Sequence, residues 1–393
     1  MHESNRCHNC HSTGLAELYS IKNVPVHSCL LMPTREAALC YPTGEISLEF
    51  CPACGFIQNG SFDPRHHEYS SNYEETQSFS PTFNKFHKQM AERLIKKYNL
   101  KNKDVIEIGC GKGEFITMLC DLGGNRGVGF DPSYIPERNT APSANQVNFI
   151  RDFYSEAYTS YSADFVCCKM TLEHIQPTSD FIGMVRRAIG ERFETIVLFQ
   201  VPDVERILEE QAFWDVYYEH CSYFSLASLE SVFLKNGFEV LDTAKEYDGQ
   251  YLMIEARPVP VGKTEPSIVQ PNLGNLTQLV EAFKGGISQK LANWSEKLEQ
   301  WKKEEKRVAL WGSGSKGVAF LTTLGIHREI EYVVDINPYK HGKFLAGTGQ
   351  KIVSPAFLEG YRPDIVVVMN PIYVEEIQTQ LDEMNVRAEL IPI

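Results

Sequence analysis

The stretch DVIEIGCGKG, residues 104–113, decides the fold. Its first half reads as a buried strand, and its second half sets glycine at 109, 111 and 113. Glycines at every second position let a backbone turn pass close to a ligand. Working outward, EFITMLCDLG reads as a helix ending at Gly123, and RGVGFDPS as the next strand, ending at Asp131. ADFVCCKMTLEH and ETIVLFQVPD are two further strands. Strands alternating with amphipathic helices predict a parallel, doubly wound sheet.

Around this centre the 393 residues divide into three regions. Residues 1–68 are rich in Cys, Pro and turn formers; residues 69–257 carry the strand–helix alternation; residues 258–393 form the rest. The proline-rich ARPVPVGKTEPSIVQPN marks the second boundary, and a long helix or helix pair follows, with Gly285-Gly286 as a weak point. RVALWGSGSKGVAFLTTLG, IEYVVDIN, PDIVVVMNP and AELIPI then start a second strand–turn–helix series. The fold class is α/β, with a small metal-binding module ahead of two Rossmann-like units.

Net charge is −13, so no bulk positive field for wrapping nucleic acid exists. No run of about 18 apolar residues is present to predict a transmembrane helix, and the start MHESNRCHNC lacks a signal-peptide pattern. A cytoplasmic monomer is expected. Eleven cysteines, several inside strand-like runs, argue against a disulfide framework.

Two C-x-x-C pairs, Cys7/Cys10 and Cys51/Cys54, offer four thiolates to one tetrahedral metal ion, and zinc suits that set. His8, His11, Cys29 and Cys40 are competing ligands. A four-cysteine site leaves no water position, so such a zinc is structural.

In the first glycine turn, Glu107 stands two residues before Gly109, and Gly111 and Gly113 follow. Asp131, eighteen residues past Gly113, can accept both ribose hydroxyls of an adenosyl group. The Gly-x-Gly-x-Gly pattern with these acids resembles motif I of class I S-adenosylmethionine methyltransferases. The resemblance implies adenine contact at Asp152 in FIRDFY and extends to LEHI after the fourth strand. The second turn, Gly312-Ser313-Gly314-Ser315-Lys316-Gly317, fits Gly-x-Gly-x-x-Gly, with Asp335 ending the next strand. Its grammar is that of a dinucleotide fingerprint. The pyrophosphate of a nucleotide-linked substrate is the simpler occupant; NAD is the alternative.

The order of zinc module, methyltransferase and second Rossmann-like unit resembles the sugar C-methyltransferases that act on nucleotide-linked 4-keto deoxysugars. The motifs carrying this are CHNC…CPACG, EIGCGKG, LEHI, YYEHCSYFS (217–225) and LWGSGSKG. The resemblance implies S-adenosylmethionine in the middle domain, a nucleotide-sugar site built largely by the C-terminal domain, and a Tyr-x-Glu-His catalytic loop matched by Tyr217, Glu219 and His220. It also implies roles for His174 and for Tyr73, with Tyr69 as the rival. His220 is the candidate base, since imidazole titrates near neutrality. Glu219 orients that imidazole or bonds a sugar hydroxyl. Tyr217, Tyr73 and His174 donate to a developing enolate oxygen. Oxygen or nitrogen methylation of another small molecule, and a zinc-bearing RNA methyltransferase, are the alternatives.

Overall fold

A computed structural model describes residues 6–66, 72–139, 141–260 and 273–393. The N-terminal module is a meander of β1 (Ala16–Pro25), β2 (Thr43–Phe50) and β3 (Ile57–Asn59), paired antiparallel. The helix Pro81–Tyr98 then leads into the central domain. Ser80 caps its first turn, and Asn99, in the left-handed region, ends it.

The central sheet contains β4 (Asp104–Ile108), β5 (Arg126–Phe130), β6 (Val147–Ile150), β7 (Phe165–Lys169) and β8 (Ile196–Pro202), all parallel. A two-residue strand, β9 (Ser222–Tyr223), leaves this domain and pairs with β3, completing the N-terminal sheet. The domain therefore shares a sheet with the module before it. The hairpin of β10 (Phe238–Glu246) and β11 (Tyr251–Pro258) closes the far edge, with β11 antiparallel to β8. The order β10-β11-β8-β7-β4-β5-β6 reverses direction at β4. This is the class I methyltransferase fold that the motifs imply, and ligands in such sheets bind beyond the carboxyl ends of the strands at the reversal.

One continuous helix, Gly274–Lys303, follows, so the glycine pair does not split it. A Cβ at Gly286 would meet Gln211 Nε2 at 2.1 Å, so the missing side chain makes room for a neighbour. Leu276, Val280, Phe283, Ile287, Trp294, Leu298 and Trp301 form its buried stripe. That stripe joins the N-terminal strands to the last domain in a single apolar cluster.

The C-terminal sheet is entirely parallel: β12 (Val308–Trp311), β13 (Tyr332–Val334), β14 (Lys351–Val353), β15 (Ile365–Val368) and β16 (Glu389–Pro392), in the order β14-β13-β12-β15-β16. These strands are short apolar runs, as expected of a sheet covered on both faces. Among the described residues no helix is long and apolar enough to cross a membrane.

Candidate active site

The two C-x-x-C pairs fold into matching knuckles. Cys7 N–H donates to the Ser12 carbonyl and His11 N–H to that of Cys7; Cys51 N–H donates to Phe56 and Gly55 N–H to Cys51. His11 and Gly55 hold the same left-handed corner, at φ 65° and 77°. All four Sγ atoms lie within 4.8 Å of one another. Cys7–Cys54 and Cys10–Cys51 are 3.7 and 3.6 Å apart. A tetrahedron with Zn–S bonds of about 2.3 Å has sulfur edges of about 3.8 Å, so the donor set fits zinc. The competing ligands lie elsewhere: Cys29 Sγ sits 3.4 Å from Ser315 Oγ, Cys40 is exposed, and neither His8 nor His11 belongs to the cluster.

Beyond the carboxyl ends of β4 and β7 lies a cavity of about 510 Å³. The turn 109–113 forms one wall. Gly109 has φ 70°, and a Cβ there would meet Thr171 Oγ1 at 2.1 Å. Glu107 lies beneath: its carboxylate accepts from Ile116 N–H at 3.0 Å and pairs with Lys169 at 3.4 Å. Burial pushes its pKa up to about 7, against the pull of Lys169. Asp131 accepts from Gly111 N–H at 2.8 Å through one oxygen and from Ser133 N–H and Oγ–H through the other. Asp152 accepts from Phe153 N–H and the Tyr158 hydroxyl. Asp131, Asp152 and the exposed Phe153 all line the cavity.

The catalytic-loop candidates divide between two faces. Tyr217 and His220 face the cavity, with ring centroids 4.1 Å apart. His174 joins them, its ring 4.8 Å from that of His220. Glu219 does not line the cavity; it points into the N-terminal module. It accepts from Ser28 N–H and from the Tyr73 hydroxyl at 3.1 Å, and its carboxylate is 3.3 Å from His27 Nδ1. The partners of Glu219 thus lie in the N-terminal module rather than on the cavity wall where the sequence placed it. Burial raises its pKa, but His27 outweighs this and holds it at about 2. Tyr73 lines the cavity; its rival Tyr69 lies outside the described residues.

The second glycine turn faces the same cavity from the C-terminal domain, with Gly312, Gly314, Ser315, Lys316 and Gly317 on its wall. Asp335 is held internally: it accepts from Ser313 N–H and Oγ–H, from Asn337 N–H, and from Lys340 at 3.3 Å. Lys316 reaches across the domains to Asp215 at 2.7 Å, and Arg206 approaches the same carboxylate at 3.6 Å. Burial lowers the Lys316 pKa.

Residues 83–243 match the family model of a methyltransferase domain, and residues 273–391 that of a C-methyltransferase C-terminal domain. The C-methyltransferase NovU of Streptomyces niveus is 25% identical over 308 residues, which span 74% of this chain and 72% of the relative. The protein is an S-adenosylmethionine-dependent methyltransferase whose C-terminal part matches that of C-methyltransferases. Among solved structures, the magnesium protoporphyrin IX methyltransferase of Synechocystis PCC 6803, with S-adenosylhomocysteine bound, matches at 16% identity and a TM-score of 0.37, over 45% of this chain and 84% of its own. The 1,6-didemethyltoxoflavin-N1-methyltransferase of Burkholderia thailandensis matches at 16% and 0.34, over 44% and 79%.

In this methyltransferase the glycine crevice fits the nucleoside of S-adenosylmethionine. Gly109 lets the turn lie against Thr171 at the cavity wall, acids stand at Asp131 and Asp152, and the exposed Phe153 ring offers an apolar face. Four participants escaped the sequence reading: His27, Glu173, Arg206 and Asp215. Only Glu173 carried a signal, by standing in LEHI; the others sit in segments without motif character.

Proposed function

We propose that the enzyme methylates a carbon alpha to a ketone on a nucleotide-linked keto-deoxysugar, with His220 as the base. The observation supporting this most strongly is convergence. His220, the glycine crevice and the Gly312–Gly317 turn all open on one cavity, so a base, a cofactor wall and an anion-binding turn meet there. When bound, S-adenosylmethionine supplies an electrophilic methyl group on sulfur.

The chain's own residues then have separable tasks. His220 takes the proton from the carbon beside the carbonyl. Tyr217, against its ring, limits the orientations open to that imidazole. The first amides of the helix Ser315–Thr323 and the Lys316 ammonium face the diphosphate. Arg206 lines the same wall, paired with Glu210 at 2.8 Å and 3.6 Å from Asp215, so Lys316 and Arg206 stand beside the turn as the groups able to turn toward an anion. NAD is the alternative occupant of the turn, and titration with NAD and with nucleoside diphosphates decides between the two: tight NAD binding refutes the nucleotide-sugar reading. The four-cysteine cluster holds a structural zinc.

The test supplies S-adenosylmethionine and the thymidine diphosphate ester of a 4-keto-2,6-dideoxyhexose, and locates the new methyl group by NMR. A carbon-bound methyl is expected. His220→Asn should lower turnover by about 10²–10⁴-fold with cofactor affinity retained. An oxygen-bound methyl, or near-normal turnover in the variant, refutes the scheme.

A further inference from the structure

Glu173 lies in the turn Leu172–His174 after β7. It borders the cavity, yet is only 1% exposed. Neither carboxylate oxygen has a hydrogen-bond partner among the described residues. Its carboxylate and the ring nitrogens of His174 and His220 lie within 4.8 Å of one another. The backbone beneath is fixed, since the Cys221 N–H donates to the Glu173 carbonyl at 3.0 Å.

A buried, unpartnered carboxylate is costly, and such a group relieves the cost by keeping its proton. Burial pushes the Glu173 pKa up to about 8. A protonated carboxyl is a hydrogen-bond donor. His174 is poorly suited to that role. Its Nδ1 lies 3.1 Å from the Glu219 carbonyl oxygen, which can only accept, so Nδ1 carries the ring hydrogen. Burial also lowers the His174 pKa, which favours the neutral ring, whose Nε2 is an acceptor.

We propose that Glu173 is a catalytic residue, whose carboxyl proton hydrogen-bonds the substrate's carbonyl oxygen while His220 removes the neighbouring C–H proton. This rests on the ketone reading above. The C–H electron pair forms the enolate double bond, and negative charge gathers on the oxygen that Glu173 faces. The carbonyl is restored as the new C–C bond forms and the methyl–sulfur bond breaks, its electrons staying on sulfur. Glu173 keeps its proton, and His220 ends with the one from carbon. An ionised Glu173 would repel the enolate and favour a protonated His220. The other titratable groups around it are Cys168 on β7, His174 on its own turn, Tyr217, His220 and Cys221 on the loop, and Tyr251 on β11.

The test compares wild type, Glu173→Gln and Glu173→Leu. Without substrate, a raised pKa means that the unfolded carboxyl ionises above about pH 4.3 while the folded one keeps its proton until about pH 8. Wild-type stability therefore falls across that window, and the melting temperature of Glu173→Gln should gain on it steadily from pH 5 to 8. Parallel melting profiles overturn the proposal. With the thymidine diphosphate 4-keto-2,6-dideoxyhexose, Glu173→Leu should lose about 10²–10³-fold in kcat, the usual loss for one oxyanion donor. Glu173→Gln, which keeps a donor that cannot ionise, should stay within about tenfold at pH 7. It should also lack the fall in kcat expected of wild type above about pH 8. Wild-type kcat in Glu173→Leu, or an unchanged alkaline fall in Glu173→Gln, refutes the role. If wild type itself leaves the probe unmethylated or methylates oxygen, the ketone reading has failed and takes this inference with it.

Discussion

Glu219→Gln isolates a single buried charge. The Glu219 and His27 side chains are both wholly shielded from solvent. Ser28 N–H, the Tyr73 hydroxyl and His27 surround the carboxylate. Its pKa of about 2 lies some two units below the ordinary glutamate value, and each unit is worth about 1.4 kcal/mol, so the charge contributes about 3 kcal/mol to folding. Glutamine keeps the shape and one acceptor but turns an amide N–H₂ toward groups that donate. A loss of about 3 kcal/mol at pH 7 is expected, at the lower end for removing one partner of a buried pair.

The pH dependence follows from the sign of the shift. A depressed folded pKa gives stability that is fully present above the unfolded value near 4.3 and is lost as pH falls through about 2. About half should be gone by pH 3. Urea unfolding of wild type and variant at pH 7, 5 and 3, followed by circular dichroism, measures the gap. A variant within about 0.5 kcal/mol of wild type at pH 7, or a gap unchanged at pH 3, refutes the reasoning.

Metal analysis should find one zinc ion per chain, and Cys51→Ala should lose it and lower the melting temperature; zinc-free protein of full stability counts against the four-cysteine site. Asp131→Ala removes the acceptor for Gly111 N–H and Ser133, and with it the acid proposed for the ribose. Calorimetry should show S-adenosylmethionine binding weakened by about 1.5–3 kcal/mol, and unchanged affinity would misplace the nucleoside.

The sequence was most legible where a short segment suffices to fix its own geometry. A strand running into alternate glycines specifies the turn at 109–113, and C-x-x-C specifies a knuckle, because the constraint lies within a few residues. Glu219 shows where this ends. Beside His220 in sequence, it looked like a partner in the cavity. The turn between them, with His220 N–H donating to the Tyr217 carbonyl at 3.1 Å, sends alternate pairs opposite ways. Tyr217 and His220 face the cavity, while the Tyr218 hydroxyl accepts from Asp63 N–H and Glu219 meets His27. Lys316 likewise finds Asp215 across 101 positions, which no local pattern encodes.

These distant partners also link the four-cysteine cluster to the methyltransferase site. The second knuckle, Cys51–Phe56, runs straight into β3, and β3 pairs with β9 through Ile57–Tyr223 and Gln58–Ser222. From the first knuckle, Asn9 donates to the Ser228 carbonyl at 2.9 Å, in the helix after the loop. Residues 217–223 are thus held between the four-cysteine corner on one side and the turn after β7 on the other, where Cys221 N–H donates to the Glu173 carbonyl. A loop carrying a base must hold it to within a fraction of an ångström of its target, and a seven-residue segment cannot do so alone. A metal held by the four cysteines would lie away from the chemistry and would stiffen β3, which pairs with β9 just after the loop carrying the proposed base. Cys51→Ala should therefore lower kcat for any methyl acceptor while leaving S-adenosylmethionine affinity, set by β4 and β5, nearly intact.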